Sequence, residues 1–324
     1  MTDTIKHEIC DVAIIGGGPA GLGAAIELKK NGISRVVVLD RETEAGGIPR
    51  HCGHPPFGIS EFKRVLTGPT YANRIVQSSI DAGVEIFPKT TVTSLGREGR
   101  LSLISPEGII ELKAKRVLVA TGTRETPRSA RKVSGQRAMG ICNTGALQAI
   151  VYLKNSIPFR NPVLVGTEIV SFSALFTCRK AGIKPVAMLE ENSRPTVMWP
   201  ISFAAKVFRT PLLLNTSIVD ILGKERVNAV RISNNNGIEK EIACDGVLFT
   251  GQFTPESSLV RMSHLKINKV TGEPIVDEHG RCSDPIYYAV GNVVFRPVKV
   301  AGRCWSAGRS TAQWITKDLL ENSL

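Results

Sequence analysis

The stretch DVAIIGGGPAG, residues 11–21, constrains this chain more than any other. Its apolar run, 12–15, is bounded by turn residues and reads as a buried strand. It breaks at Gly16-x-Gly18-x-x-Gly21, and a helical pattern follows. Pro19 suits a first helical turn, where its missing N–H would have no partner anyway. Asn31-Gly32 closes that helix as a C-cap pair. The three glycines serve different ends. The first permits a tight turn, the second lets backbone approach a pyrophosphate, and the third lets helix pack closely on strand. The helix N-terminus adds free N–H groups and the positive end of a dipole. Glycine spacing alone also occurs in ordinary turns, so context decides. A second apolar strand, 36–39, delivers Asp40, placed to hydrogen-bond a ribose diol. The order strand, loop, helix, strand, acid predicts dinucleotide binding.

Arg41 and the pair Gly46-Gly47 come next. Paired glycines let a chain pass close against a diphosphate, and an arginine can face its charge. An arginine followed by a diglycine just past the second strand resembles the pattern of flavoproteins, a resemblance that implies FAD rather than NAD at the first site. Residues 46–74 are dense in Gly, Pro and His, so their first half must be loop. A structured loop directly behind a cofactor's phosphates is more often functional than idle. A helix is predicted over about 70–82. Short alternating strands are predicted at 91–95, 101–105, 109–113 and 116–119, an antiparallel meander. It ends in Ala120-Thr121-Gly122, a turn able to pass beneath a cofactor.

The chain then repeats itself. Gly16 to Gly166, Gly32 to Gly182 and Asp40 to Glu190 are each 150 residues apart, and NGISRVVVLD is echoed by AGIKPVAMLE. A second meander is predicted at 216–222, 227–233 and 238–243, closing in VLFTG as the first closes in VLVATG. The expected fold is therefore α/β: two tandem Rossmann-like dinucleotide-binding domains with antiparallel β-meanders, the second inserted in the first. The expected boundaries are 1–135 with 281–324 for the FAD domain and 155–255 for the second. Residues 136–154 and 256–280 would be crossover segments. Tyr287-Tyr288-Ala289-Val290-Gly291-Asn292 and a helix over about 301–320 should return to the first domain.

Composition excludes several classes. The sequence is 42% hydrophobic over 324 residues, enough for a sizeable core. No run approaches the roughly 18–20 apolar residues of a membrane span. The first residues, MTDTIKHE, lack signal-peptide character. Seven scattered cysteines, none spaced C-x-x-C, argue against metal sites and point to a reducing cytoplasm. The net charge of +12 is spread out, with a denser patch at 124–137. Without interleaved aromatics it reads as a solvated surface or a docking face for an acidic partner, not a nucleic-acid site.

The glycine loop, the Arg41/Gly46-Gly47 pair, the Ala120-Thr121-Gly122 turn and the Tyr-Ala-Val-Gly-Asn close resemble the two-dinucleotide-binding-domain flavoproteins, the thioredoxin reductase and glutathione reductase fold. The likeness covers essentially the whole sequence. GGIPRHCGHPPFG, LTGPTYANR and VLVGTEIVSFSAL carry a narrower likeness to FAD subunits of multi-component bacterial dehydrogenases. These are the opine oxidase and hydrogen cyanide synthase group, the proline and hydroxyproline dehydrogenases, and the flavoprotein partner of glycerol-3-phosphate dehydrogenase. The resemblance implies FAD contacts at Gly16, Gly18, Pro19, Ala20, Gly21, Asp40, Arg41, Gly47, Val92, Thr121, Gly122, Gly291 and Asn292. Most of the wider family has Asp where Asn292 stands, and an amide still hydrogen-bonds. Several larger opine-oxidase-type subunits carry a cysteine-rich C-terminal extension able to hold an iron–sulfur cluster. This sequence ends at Leu324 without one, which would place such a cluster on a partner.

The second domain bears on where electrons go. Its loop reads Gly166-Thr167-Glu168-Ile169-Val170-Ser171, so the second and third glycines are replaced. Glu168 would set an anion where a diphosphate should lie. Two unit charges about 4 Å apart repel by roughly 1 kcal/mol in water and roughly 4 at an effective dielectric of 20. Ordinary NAD(P)H binding is disfavoured, although Glu190 keeps the ribose position. The expected role is an FAD-dependent oxidoreductase subunit of a heteromeric dehydrogenase. It would pass electrons from a small amino acid, opine or polyol through FAD to a non-NAD(P) acceptor. Its partner would be a second flavoprotein or an iron–sulfur subunit. One alternative is a stand-alone NADH-dependent flavin reductase or peroxidase using Cys52; another is a non-catalytic FAD-holding scaffold. His51, Cys52 and His54 follow the diglycine, where reductases of this fold keep their redox cysteines. They are the catalytic candidates, against a plain packing role for the same loop. Lys299 and Trp305 could approach the flavin ring, though a surface or packing role suits both.

Overall fold

The computed structural model describes residues 5–197, 204–294 and 300–321. The chain forms two compact units. The first is Met1–Arg50, Pro55–Arg124 and Thr254–Leu324; the second is His51–His54 and Glu125–Phe253.

In the first unit the strands are β1 (Lys6–Ile15), β2 (Val36–Leu39), β3 (Glu85–Phe87), β4 (Thr91–Leu95), β5 (Arg100–Ser105) and β6 (Gly108–Val119). They form one sheet in the order β3-β2-β1-β6-β5-β4, and the late strand Tyr287–Ala289 also pairs with β6. The pairs β3-β2, β2-β1, β1-β6 and β6 with Tyr287–Ala289 are parallel. The pairs β6-β5 and β5-β4 are antiparallel. Chain order reverses beside β1, with β2 on one side and β6 on the other. Open α/β sheets bind ligands at the strand ends of such a point.

Two predicted strands, 109–113 and 116–119, are one twelve-residue strand, β6. Its pleat is unbroken because Lys113 and Lys115 both point to solvent while Leu112 and Ala114 point to the core. Helix α1 (Pro19–Lys30) ends at the expected Asn31-Gly32, and α2 spans Gly68–Asp81. Nearly all of α1 is buried, covered by the C-terminal helix Ala301–Glu321. The approach is so close that a Cβ on Gly308 would overlap Ala20 O. Arg309 pairs with Glu27 at 2.8 Å across the same contact. Residues 256–280, expected as a crossover, belong to the first unit, because Val260 and Leu265 fill the core against Val92, Leu95, Leu101 and Leu103.

The second unit contains β7 (Ile141–Asn143), β8 (Pro162–Val165), β9 (Ala187–Leu189) and β10 (Leu212–Leu213), then β11 (Thr216–Leu222), β12 (Ala229–Asn234), β13 (Glu239–Ala243) and β14 (Gly246–Phe249). Five of them make a parallel sheet ordered β10-β9-β8-β14-β7; β11-β12-β13 is an antiparallel meander. Helix α3 (Ile169–Lys180) follows β8 as α1 follows β1. Residues 136–154 are part of this unit too, since they supply the sheet-edge strand β7 and the helical stretch after it. Two arginines of the basic patch turn inward. Arg128 donates to the carbonyls of Val133, Ser134 and Gln136, and Arg131 to those of Thr126, Thr250 and Gly251.

Candidate functional site

The loop after β1 is shaped by glycines with different neighbours. Gly16 holds φ +109°, and a Cβ there would lie 2.5 Å from Ala120 O. A Cβ on Gly21 would overlap Gly16 O, so this glycine lets α1 start against the turn. Gly18 serves neither purpose. It is the N-cap of α1 in ordinary extended backbone (φ −83°, ψ −177°), and the nearest atom to a Cβ there is Gly47 Cα, 3.9 Å away. Gly122 (φ +77°) has nothing within 4 Å of its Cβ position. Space is therefore left above these two glycines. No side chain caps α1 among the described residues, so its first N–H groups remain for an anion.

Other elements converge on that space. Gly46 N donates to Gly17 O at 2.7 Å, and a Cβ on Gly47 (φ +64°) would sit 2.8 Å from Gly18 Cα. The diglycine loop thus lies against the helix N-terminus, as a close-passing chain requires. Asp40 Oδ2 accepts from Gly17 N and Oδ1 from Glu42 N, both at 2.9 Å. Burial pushes its pKa up, opposed by these two donors. Gly291 (φ +80°) comes from the late strand, and its Cβ would stand 2.7 Å from Ala20 Cβ beside Pro19. Asn292 Oδ1 accepts from the Cys304 thiol at 3.2 Å. Thr121 Oγ1 donates to Glu256 O at 2.6 Å, fixing the turn before Gly122.

Arg41 is exposed and 3.7 Å from Glu42, and Val92 is buried in the core under β4. Gly17, the middle residue of the GGG run and not among the expected contacts, meets this site through its N–H, which donates to Asp40. Trp305 packs on Gly23 in α1. Lys299 lies outside the described residues.

The second unit copies this backbone closely. Gly166 holds φ +114°, and its N–H donates to Leu189 O at 2.9 Å, as Gly16 N does to Leu39 O. Glu168 caps α3 with φ −70°, ψ 170°, the conformation of Gly18. Asn192 N donates to Glu190 Oε1 at 3.0 Å, as Glu42 does to Asp40. What fills the space differs. A Cβ on Gly251, the counterpart of Gly122, would overlap Glu168 Oε1; one on Gly166 would lie 2.5 Å from Thr250 Oγ1 and 2.6 Å from Glu168 Oε2, where Gly16 meets Ala120 O. Glu168's carboxyl group thus occupies the volume that is open in the first unit. Burial pushes its pKa up; Arg131 opposes this and Glu190 adds to it. Glu190 accepts from Thr167 Oγ1 and, at 3.3 Å, from Thr196 Oγ1 through Oε2, and from Asn192 Nδ2 at 2.7 Å through Oε1.

His51, Cys52 and His54 group with the second unit. The Cys52 thiol donates to Gln148 Oε1 at 3.4 Å, and Gln148 Nε2 donates to Ser173 Oγ at 2.7 Å. Ser173 Oγ lies 2.5 Å from His54 Nε2, and the His54 ring stacks on Phe176 with centroids 5.9 Å apart. Cys52 is 8% exposed, and burial with the nearby Glu125 carboxyl pushes its pKa up to about 12. Such a thiol stays protonated at neutral pH, which does not suit a peroxidatic nucleophile. His51 is half-buried. Gln148 and Ser173 carried no recognisable sequence signal, being ordinary helix residues brought to the loop by folding. Among the described residues no His, Cys, Asp and Glu group is arranged for a metal, and no helix is long and apolar enough to cross a membrane.

The family model described as pyridine nucleotide-disulphide oxidoreductase matches residues 10–312. The chain belongs to that family. The open cradle of the first unit fits the diphosphate of FAD, the cofactor that flavoproteins of this family bind. The opine oxidase A subunit of Agrobacterium tumefaciens (strain Ach5) is 24% identical over 323 residues, covering 89% of this chain and 62% of the relative. Soluble pyridine nucleotide transhydrogenase of Hahella chejuensis is 22% identical over 341 residues, covering 95% and 71%. The fold is that of thioredoxin reductase from T. acidophilum, with a TM-score of 0.81, 22% identity and coverage of 97% and 99%. The chain spans only 38%, 62% and 59% of three opine oxidase A subunits that it matches.

Proposed function

We propose that this chain is the FAD-carrying subunit of a heteromeric dehydrogenase, passing electrons from a small amino acid, opine or polyol to an acceptor other than NAD(P). The contrast between its two cradles carries the reading: on one backbone, the space over Gly122 is open, and the space over its counterpart Gly251 is filled by the carboxyl group of Glu168. The similarity to proteins named as subunits supports a partner, for which a second flavoprotein or an iron–sulfur subunit fits best. Free cysteines fit a reducing, cytoplasmic setting.

FAD, when bound, supplies the redox chemistry itself. In this reading the protein holds it by Gly16, Gly18, Pro19, Ala20, Gly21 and Gly47 at the diphosphate, with Asp40 at a ribose. Thr121, Gly122, Gly291 and Asn292 line the far end, and Arg41 and Val92 its margins. Cys52 and His54 brace the stretch containing Gln148 and the second unit's helix α3, with His51 beside them in the chain. The buried thiol weighs against the peroxidase alternative.

Anaerobic mixing with NADH tests the reading. The flavin absorbance should persist with NADH alone and bleach when the substrate and the co-purified partner are supplied together. Rapid bleaching by NADH alone would instead establish a free-standing NADH-dependent reductase.

A further inference from the structure

We infer that Glu168 is what shuts pyridine dinucleotides out of the second unit, its carboxyl group standing where a diphosphate would lie over a cradle whose turn glycines, helix start and acid persist. The inference rests on the reading that the acceptor is not NAD(P), and it names the residue responsible. Four observations separate Glu168 from the other departures in this loop. The turn glycines Gly166 and Gly251 persist with φ of +114° and +65°. Helix α3 is a full twelve residues, and among the described residues no side chain caps its first N–H groups. Glu190 stands where Asp40 stands, with the same backbone donor two residues on. Ser171, which replaces the third glycine, is fully buried, and its Oγ is bonded to Thr250 Oγ1 at 2.6 Å. The Glu168 side chain is the one that fills the open volume, and its carboxyl overlaps the Cβ position of Gly251.

Once that group is gone a fixed cation remains beside the space, with Glu190 at the position that Asp40 holds in the first cradle. The Arg131 guanidinium holds the carbonyls of Thr250 and Gly251 at 3.0 and 2.6 Å and lies 5.3 Å from the Phe249 ring centroid. It therefore stays fixed at the carboxyl end of β14 whatever occupies position 168. Glycine at that position costs no strain, because Gly18 already adopts the same backbone in the first unit.

The test uses the FAD-loaded full chain, titrated with NADH and followed by nicotinamide fluorescence. Glu168→Gly should bind NADH about five- to nearly a thousandfold more tightly than the parent, the range set by removing one charge about 4 Å from another. Glu168→Gln, which keeps the length without the charge, should fall between them. Glu168→Ala repeats the measurement if the glycine variant loses its melting transition. A Glu168→Gly or Glu168→Ala protein that folds, keeps FAD and binds NADH no better than the parent would overturn the assignment while leaving the non-NAD(P) reading intact. A parent that itself binds NADH and is bleached by it would overturn both.

Discussion

Gly18→Glu places in the first cradle the residue that its copy carries, on a backbone that already accepts it. Gly18 and Glu168 share extended dihedrals, φ −83° and −70°, so no left-handed strain arises. The nearest atom to the new Cβ is Gly47 Cα at 3.9 Å, ordinary van der Waals contact. Folding of the apoprotein should therefore change little. A carboxylate at the N-terminus of α1 could even add about 0.3–1 kcal/mol through the helix dipole. FAD affinity should collapse. Charge repulsion of roughly 1–4 kcal/mol, from water to an effective dielectric of 20, means about a five- to nearly thousandfold loss before any overlap of atoms is counted. The assay is calorimetric titration of apoprotein with FAD, beside a thermal melt of the same sample. Gly16→Ala is the contrast: its Cβ would press on Ala120 O at φ +109°, so it should lower stability as well as affinity. A Gly18→Glu protein that binds FAD as tightly as the parent would refute the placement of the diphosphate over Gly18.

Other consequences follow from the buried groups. Native protein at pH 8 should leave Cys52 unmodified by a thiol reagent that labels it after unfolding, because its pKa is pushed up to about 12; rapid native labelling, mapped by peptide mass, would show a thiolate. Arg131→Met should destabilise the second unit by about 1–3 kcal/mol, since three carbonyls lose a charged donor, while FAD content is unchanged. Glu125 has its pKa raised above 4.5 chiefly by burial, against the Gly145 N–H. The folded chain then holds the proton more tightly than the unfolded one, so this group's contribution to stability is full below about 4.5 and declines as pH rises through the raised value. Denaturant melts of Glu125→Gln across that window should show a flatter decline than the parent; equal slopes would contradict the assignment.

The first cradle was legible because its glycines and acid answer to backbone geometry. Gly16, Gly21 and Gly47 sit where any side chain would strike main chain, and such positions fix residue type regardless of context. The copy was legible through the constant offset, and the obstruction at Glu168 through its exchange for a glycine. What escaped depended on packing between segments far apart in sequence. The loop from His51 to His54 gave no sign that it groups with Gln148, Ser173 and Phe176 of the second unit. Residues 256–280 read as a connection because Val260 and Leu265 are isolated apolar positions that acquire meaning only under β4 and β5. The patch at 124–137 looked like surface charge, yet Arg128 and Arg131 spend their donors on carbonyls of their own unit.

Dinucleotide stoichiometry bears most directly on the central claim. Apoprotein titrated calorimetrically with FAD, and then with excess NADH, should take up one dinucleotide per chain, with no heat from the second addition. A second molar equivalent, bound as NADH on the FAD-loaded chain, would contradict it.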